Sequence, residues 1–168
     1  MEERLKRTPI AFQRYMRNRI NWNSRLIGLT GPRGVGKSTM MLQYVLQQPS
    51  RGKMLYVTAD HFWFATHSLV ELADEFVKEG GRWLCIDEVH LYQGWSRELK
   101  QIYDGHPDLH VVFTGSSVLD INKGEADLSR RAVMYHMQGL SFREYLKLFH
   151  DMDAPLINLD DILRGDIN

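Results

Sequence analysis

Apolar residues in this chain come in short runs that switch repeatedly between a strand-like and a helix-like period. Residues 25–30 (RLIGLT), 53–59 (KMLYVTA), 82–86 (RWLCI), 109–114 (LHVVFT) and 133–138 (VMYHMQ) read as five strands. The third run is apolar without a break, which predicts a strand buried on both faces. Between the strands, the spacing predicts helices. Residues 9–19 carry Pro9 in a first turn, and MMLQYVLQQ stops at Pro49. Residues 67–79 place Leu69, Leu72, Phe76 and Val77 on one face and end at Gly80-Gly81. Residues 95–104 end before Gly105 and Pro107, and residues 117–129 contain a loop near Lys123-Gly124. Residues 141–150 open with Ser141 and Glu144 in capping-box spacing. Strand and helix alternate five times, so the fold class is α/β, a mostly parallel sheet with helices on both sides.

Composition narrows the class. With 168 residues, 43% hydrophobic and 25% charged, the chain is one domain with a self-supporting core. A single cysteine, Cys85, excludes a disulfide scaffold and four-cysteine zinc sites. No run approaches the ~18–20 apolar residues of a membrane span, and MEERLKRTPIAF has no apolar signal region behind its charges. The expected setting is reducing and cytoplasmic, with no membrane contact. Net charge is zero but unevenly placed: +4 over residues 1–20 and −4 over residues 151–168. Balance argues against a nucleic-acid coat protein. The basic arm is either a solvated face or a contact surface for nucleic acid. The expected organisation is a basic helical arm (1–20), a core (21–150) and an acidic tail or linker start (151–168).

Candidate chemistry begins after the first strand. Gly31, Pro32, Arg33, Gly34, Val35, Gly36, Lys37 and Ser38, followed by Thr39, fit G-x-x-x-x-G-K-[ST] between a strand and a helix. Glycines let the backbone curl so that N–H groups point at phosphate oxygens. The helix beginning near Lys37 aims its positive end at the same place. Lys37 supplies a charge to the β and γ phosphates, and the Ser38 hydroxyl suits a magnesium ligand. ATP and magnesium are the expected cofactors.

The third strand runs into Asp87 and Glu88. Neighbouring strand residues face different sides, so Asp87 is expected to address magnesium while Glu88 polarises a water attacking the γ phosphate. An adjacent glutamate favours an ATP hydrolase over a small-molecule phosphotransferase.

Together GPRGVGKST, LCIDEVHLYQGWSRELKQIYD, VVFTGSS and SRRAVMYHMQGLSFREYL resemble the AAA-type P-loop ATPase domain of a large bacterial and archaeal family. In that family the ATPase usually precedes a nuclease-like C-terminal region. Arg131, Leu140, Ser141, Phe142, Glu144 and Tyr145 match its motif around strand five. Ser129-Arg130 and His90 depart from it, His90 standing where glutamine is frequent. The resemblance implies a P-loop three-layer sandwich of the additional-strand type, with sheet order 5-1-4-3-2. In such a sheet the tip of strand four reaches toward the γ phosphate. Ser116, preferred over Thr114, is then a candidate to orient water; the alternative is a turn rich in small residues. Arg131, if not simple surface charge, would act on a neighbouring subunit's phosphate in a homo-oligomer. A C-terminal region beyond Asn168 is also expected.

Other residues read more plainly. Phe62, Trp63 and Phe64, flanked by His61 and His67, suit packing or a partner surface more than base stacking. Asp60 ends a strand and suits a turn or the active crevice, and Cys85 an inert buried thiol. Tyr15 and Ile20 are positional candidates near adenine. The reading is a magnesium-dependent ATP hydrolase driving change in an attached or partner domain. The alternative is a nucleotide-dependent switch with little turnover, contacting nucleic acid through the basic arm.

Overall fold

Five parallel strands pair in the order β2-β3-β4-β1-β5: β1 (Leu26–Thr30), β2 (Met54–Thr58), β3 (Trp83–Asp87), β4 (His110–Gly115) and β5 (Val133–His136). This is the additional-strand order that the family resemblance implies. The computed structural model describes residues 8, 11–47, 53–116, 128–155 and 163–164. Four α-helices lie among them: α1 (Lys37–Gln47), α2 (Leu69–Lys78), α3 (Trp95–Gly105) and α4 (Phe142–His150).

Alternation along the strands separates two cores. Leu26, Leu84, Ile86, Val111 and Phe113 face Leu69, Ala73, Leu99 and Ile102 of α2 and α3. Ile27, Leu29, Cys85 and Val112 face Met40, Met41, Tyr44 and Val45 of α1. Both faces are covered, so the central strands are apolar at nearly every position. Within β1 the tightest position is Gly28, where a Cβ would lie 2.4 Å from Met134 Sδ.

The helix starts are locally encoded. Ser68 and Glu71 form a capping box on α2, and Ser141 and Glu144 form the expected one on α4. Two expectations need correction. Residues 9–19 do not form a helix over their described part; only a 3-10 turn at Tyr15–Arg19 is helical, and Arg14 is extended. Tertiary hydrogen bonds take the backbone instead: Gln43 Nε2 donates to the Phe12 carbonyl at 2.8 Å. Strand five stops at His136 rather than residue 138, because the Gln138 and Gly139 carbonyls accept from Arg14. The helix expected at 117–129 lies, up to residue 127, outside the described residues, as do Pro49 and most of the tail.

Candidate nucleotide site

Strand order brings the chemistry together. The phosphate loop leaves β1 and Asp87 ends β3, with the tip of β4 between them. Gly31 has φ +137°, and a Cβ there would meet the Met137 carbonyl oxygen at 2.2 Å. Gly36, at φ +96°, turns the chain into α1. Lys37 is buried and folds back over its own loop, donating to the Gly31 and Pro32 carbonyls at 2.9 and 2.8 Å. Burial draws its ammonium below the usual lysine value, while Glu88 and Asp87 pull the other way. An ammonium has three protons, so one is left to point elsewhere.

Asp87 is 3% exposed and gripped by three hydroxyls. Its Oδ1 accepts from Ser38 Oγ at 2.9 Å and from Thr114 Oγ1, and its Oδ2 accepts from Tyr56 OH at 2.7 Å. Tyr56 was not a sequence candidate. In the β2–β3 register Tyr56 faces Cys85 and Thr58 faces Asp87. A buried tyrosine needs a partner for its hydroxyl, but that signal becomes usable only once the register is known.

Glu88 does not continue the strand. It adopts a left-handed conformation, φ 55° and ψ 42°, at the start of a 3-10 turn. This backbone turn, more than strand alternation, separates its carboxylate from that of Asp87. Thr114 Oγ1 accepts from the Glu88 backbone N–H at 3.0 Å. Ser116 Oγ donates to Glu88 Oε2 at 3.2 Å. His90, with Nδ1 3.3 Å from the same oxygen, also meets Ser116 Oγ through Nε2 at 3.0 Å. The two hydroxyls at the tip of β4 therefore divide: Thr114 braces the backbone and Asp87, and Ser116, just beyond the strand, faces the Glu88 carboxylate. His90, a departure in the sequence, joins this group.

Arg131 stands apart. It precedes β5, which runs parallel to β1, so it lies at the N-terminal end of the strands, opposite the end that carries the phosphate loop. Its guanidinium forms a two-pronged pair with Asp104 at the end of α3, both contacts 2.9 Å. Arg130 is exposed.

Beside the phosphate loop opens a cleft of about 440 Å³, lined by Phe12, Val35, Thr39, Gln43, Leu140 and Leu148 among others. Tyr15 and Ile20 do not line it: Tyr15 is largely exposed and Ile20 is buried against α1. A second cleft, about 510 Å³, lies between β2 and α2 and is lined by His61, Trp63 and Phe64. There Trp63 stacks on His67 and Phe64 meets Tyr92 edge-on, while Phe62 is exposed. Asp60 accepts from Thr58 Oγ1 at 2.6 Å, a turn contact. Burial, with Asp87 adding to it, pushes the Cys85 thiol up to about 12. Among the described residues no cluster of three histidine, cysteine or acidic side chains is placed to hold a metal ion, and no helix is long and apolar enough to cross a membrane.

Comparison with known proteins agrees with this architecture. The AAA domain family matches residues 23–146. No curated protein sequence matches the chain. Among solved structures, AMPPCP-bound DnaA from Aquifex aeolicus aligns over 98% of this chain with a TM-score of 0.52 and 13% identity. The chain spans about half, 52%, of that DnaA chain, and at this identity the likeness is one of fold. A family match over most of the sequence, on a sheet of additional-strand order with a glycine-rich loop leading from β1 into α1, means that the chain belongs to the AAA domain family, whose function is of the nucleotide-binding ATPase type.

Proposed function

We propose that the chain binds and hydrolyses ATP with magnesium, and that turnover drives change in an attached or partner domain. The observation that carries this reading is the convergence of Lys37, Ser38, Asp87, Glu88 and Ser116 from three strand ends. The phosphate loop cradles the phosphates through backbone N–H groups and the α1 N-terminus. The adjoining cleft takes the nucleoside between Phe12 and Leu148.

The residues fit magnesium. Ser38 and Asp87 offer hard oxygen donors side by side, and such a site needs only one or two protein ligands beside the phosphates. When bound, the ion neutralises charge developing on the phosphate oxygens. Tyr56 and Thr114 hold the Asp87 carboxylate in orientation, and Glu88 takes the proton of the attacking water. Ser116 and His90 set the direction of the Glu88 carboxylate. Arg131 acts across a subunit boundary, since its own phosphate loop lies at the opposite end of the parallel strands.

A second reading, a switch with little turnover, draws on one observation: Glu88 Oε2 is already engaged by Ser116 and His90. Steady-state ATP hydrolysis by wild type and Glu88→Gln, across protein concentration, separates the two. The hydrolase reading expects Glu88→Gln to keep ATP binding and lose about 10²–10⁴ in rate. Equal, negligible rates with intact binding would favour the switch. Lys37→Ala is expected to lose most ATP affinity, because charge-assisted contacts are worth ~1.5–3 kcal/mol each.

A further inference from the structure

Arg14 belongs to none of the sequence motifs, yet it is the most heavily bonded buried cation among the described residues. It is 7% exposed. Nε donates to Glu144 Oε1 at 2.8 Å; one terminal nitrogen donates to the Val35 carbonyl, and the other to the Gln138 and Gly139 carbonyls, both at 2.9 Å. One guanidinium thus joins the phosphate loop, the chain leaving β5 and the first turn of α4. Glu144 is equally committed. Its Oε1 also accepts from the Tyr15 N–H at 3.0 Å, and its Oε2 accepts from Ser141 N and Oγ at 2.9 and 3.0 Å.

Burying such a pair is costly, and a well-packed apolar pair of similar volume is often no less stable. Stability alone is therefore a weak reason for it, and the geometry offers a better one. A peptide unit is planar and trans, so its C=O and the following N–H point in opposite directions. Arg14 takes the Val35 carbonyl, so the Gly36 N–H of the same peptide points away from the guanidinium. Gly36, at φ +96°, has the backbone freedom to lose that direction if nothing holds it. The same guanidinium sets the spacing of the cleft walls, because Phe12 precedes it on one wall and Leu140 and Leu148 flank its Glu144 partner on the other.

We propose, resting on the nucleotide-site reading above, that Arg14 is a positioning residue of that site. It fixes the Val35–Gly36 peptide for phosphate binding and holds the cleft between the N-terminal segment and α4 at the width of a nucleoside. The planar fork is essential, since a lysine at this position offers a point charge and cannot reach four acceptors at once.

The test is ATP affinity, by calorimetry, of wild type, Arg14→Lys and the control Arg17→Ala, each checked for folding by circular dichroism. Arg17 lies on the outer side of the same segment, bonded to Gln13 and Gln47. Arg14→Lys is expected to bind ATP on the order of 10- to 100-fold more weakly while folded. Arg17→Ala should stay within about twofold of wild type. A merely structural Arg14 would lower the melting temperature and leave the affinity of the folded protein unchanged, which overturns the proposal. If Arg14→Lys does not fold, nitrogen NMR of the wild type decides. The Arg14 Nε–H signal is expected to shift on ATP addition with the same midpoint as the phosphate-loop amides, and an indifferent signal overturns the proposal. Folded wild type that binds no ATP would instead remove the nucleotide reading itself, so the two failures are distinguishable.

Discussion

The Tyr56 hydroxyl donates to Asp87 Oδ2 over 2.7 Å, from β2 to the end of β3. It completes a set of three hydroxyls around a buried carboxylate, the others coming from Ser38 and Thr114. Tyr56→Phe is expected to lose ~1.5–3 kcal/mol, the range for a hydrogen bond to a charged group. The magnesium concentration giving half-maximal hydrolysis should rise, because Asp87 is left freer to rotate. Urea denaturation and a magnesium titration check the two effects. An unchanged magnesium dependence would reduce Tyr56 to a packing role.

Glu88 holds a left-handed backbone, which costs a residue with a side chain about 1–2 kcal/mol. Asparagine tolerates that region better. Glu88→Asn is therefore expected to be more stable than Glu88→Gln, with both lacking hydrolysis. Denaturation midpoints of the two inactive variants test this directly. Equal midpoints would mean that the turn carries no strain that the side chain relieves.

Arg131 and Asp104 face solvent and pair in a geometry that gains little for the single chain. Arg131→Ala should leave the melting temperature essentially unchanged. Its hydrolysis defect is expected only at concentrations where chains associate, since an arginine supplied in trans is worth about 10³ or more in rate. Mixing Arg131→Ala with Lys37→Ala should recover activity, because mixed pairs place an intact Arg131 against an intact phosphate loop. Activity independent of concentration and indifferent to Arg131 would assign the residue to the surface.

Burial alone would raise the Glu144 carboxyl, but hydrogen bonds from Arg14, Ser141 and Tyr15 outweigh it and hold the group below the ordinary glutamate value. A depressed carboxyl contributes stability that is full above its unfolded value, about 4.3, and is lost as pH falls through the folded value. Glu144→Gln should therefore be less stable than wild type near neutral pH, by about 1–3 kcal/mol. The difference should shrink as pH drops below about 4.3. Thermal melts of both proteins from neutral to acid pH check the convergence; a constant gap would show that the charge of Glu144 is not what stabilises.

The sequence by itself determined most of the kinds of element and placed a glycine-rich loop between the first strand and its helix. Five apolar runs, a glycine-rich turn ending in Lys37-Ser38, the Asp87-Glu88 pair and the Ser141–Glu144 capping box are all written within a few residues of one another. Their physics is local: strand and helix periods, glycine dihedrals and helix-end hydrogen bonds. The strand order came from resemblance, not from periodicity, because pairing between β1 and β4 joins residues more than eighty positions apart and leaves no mark in either strand. Only the tertiary structure separated Thr114 from Ser116, gave Asp87 its Tyr56 partner and placed His90 beside Glu88. It also left residues 12–14 outside the helix expected over 9–19, with Arg14 extended. There the backbone and Arg14 find partners on α1, the phosphate loop and α4, and those long-range hydrogen bonds outweigh a local helical tendency that the sequence shows in isolation.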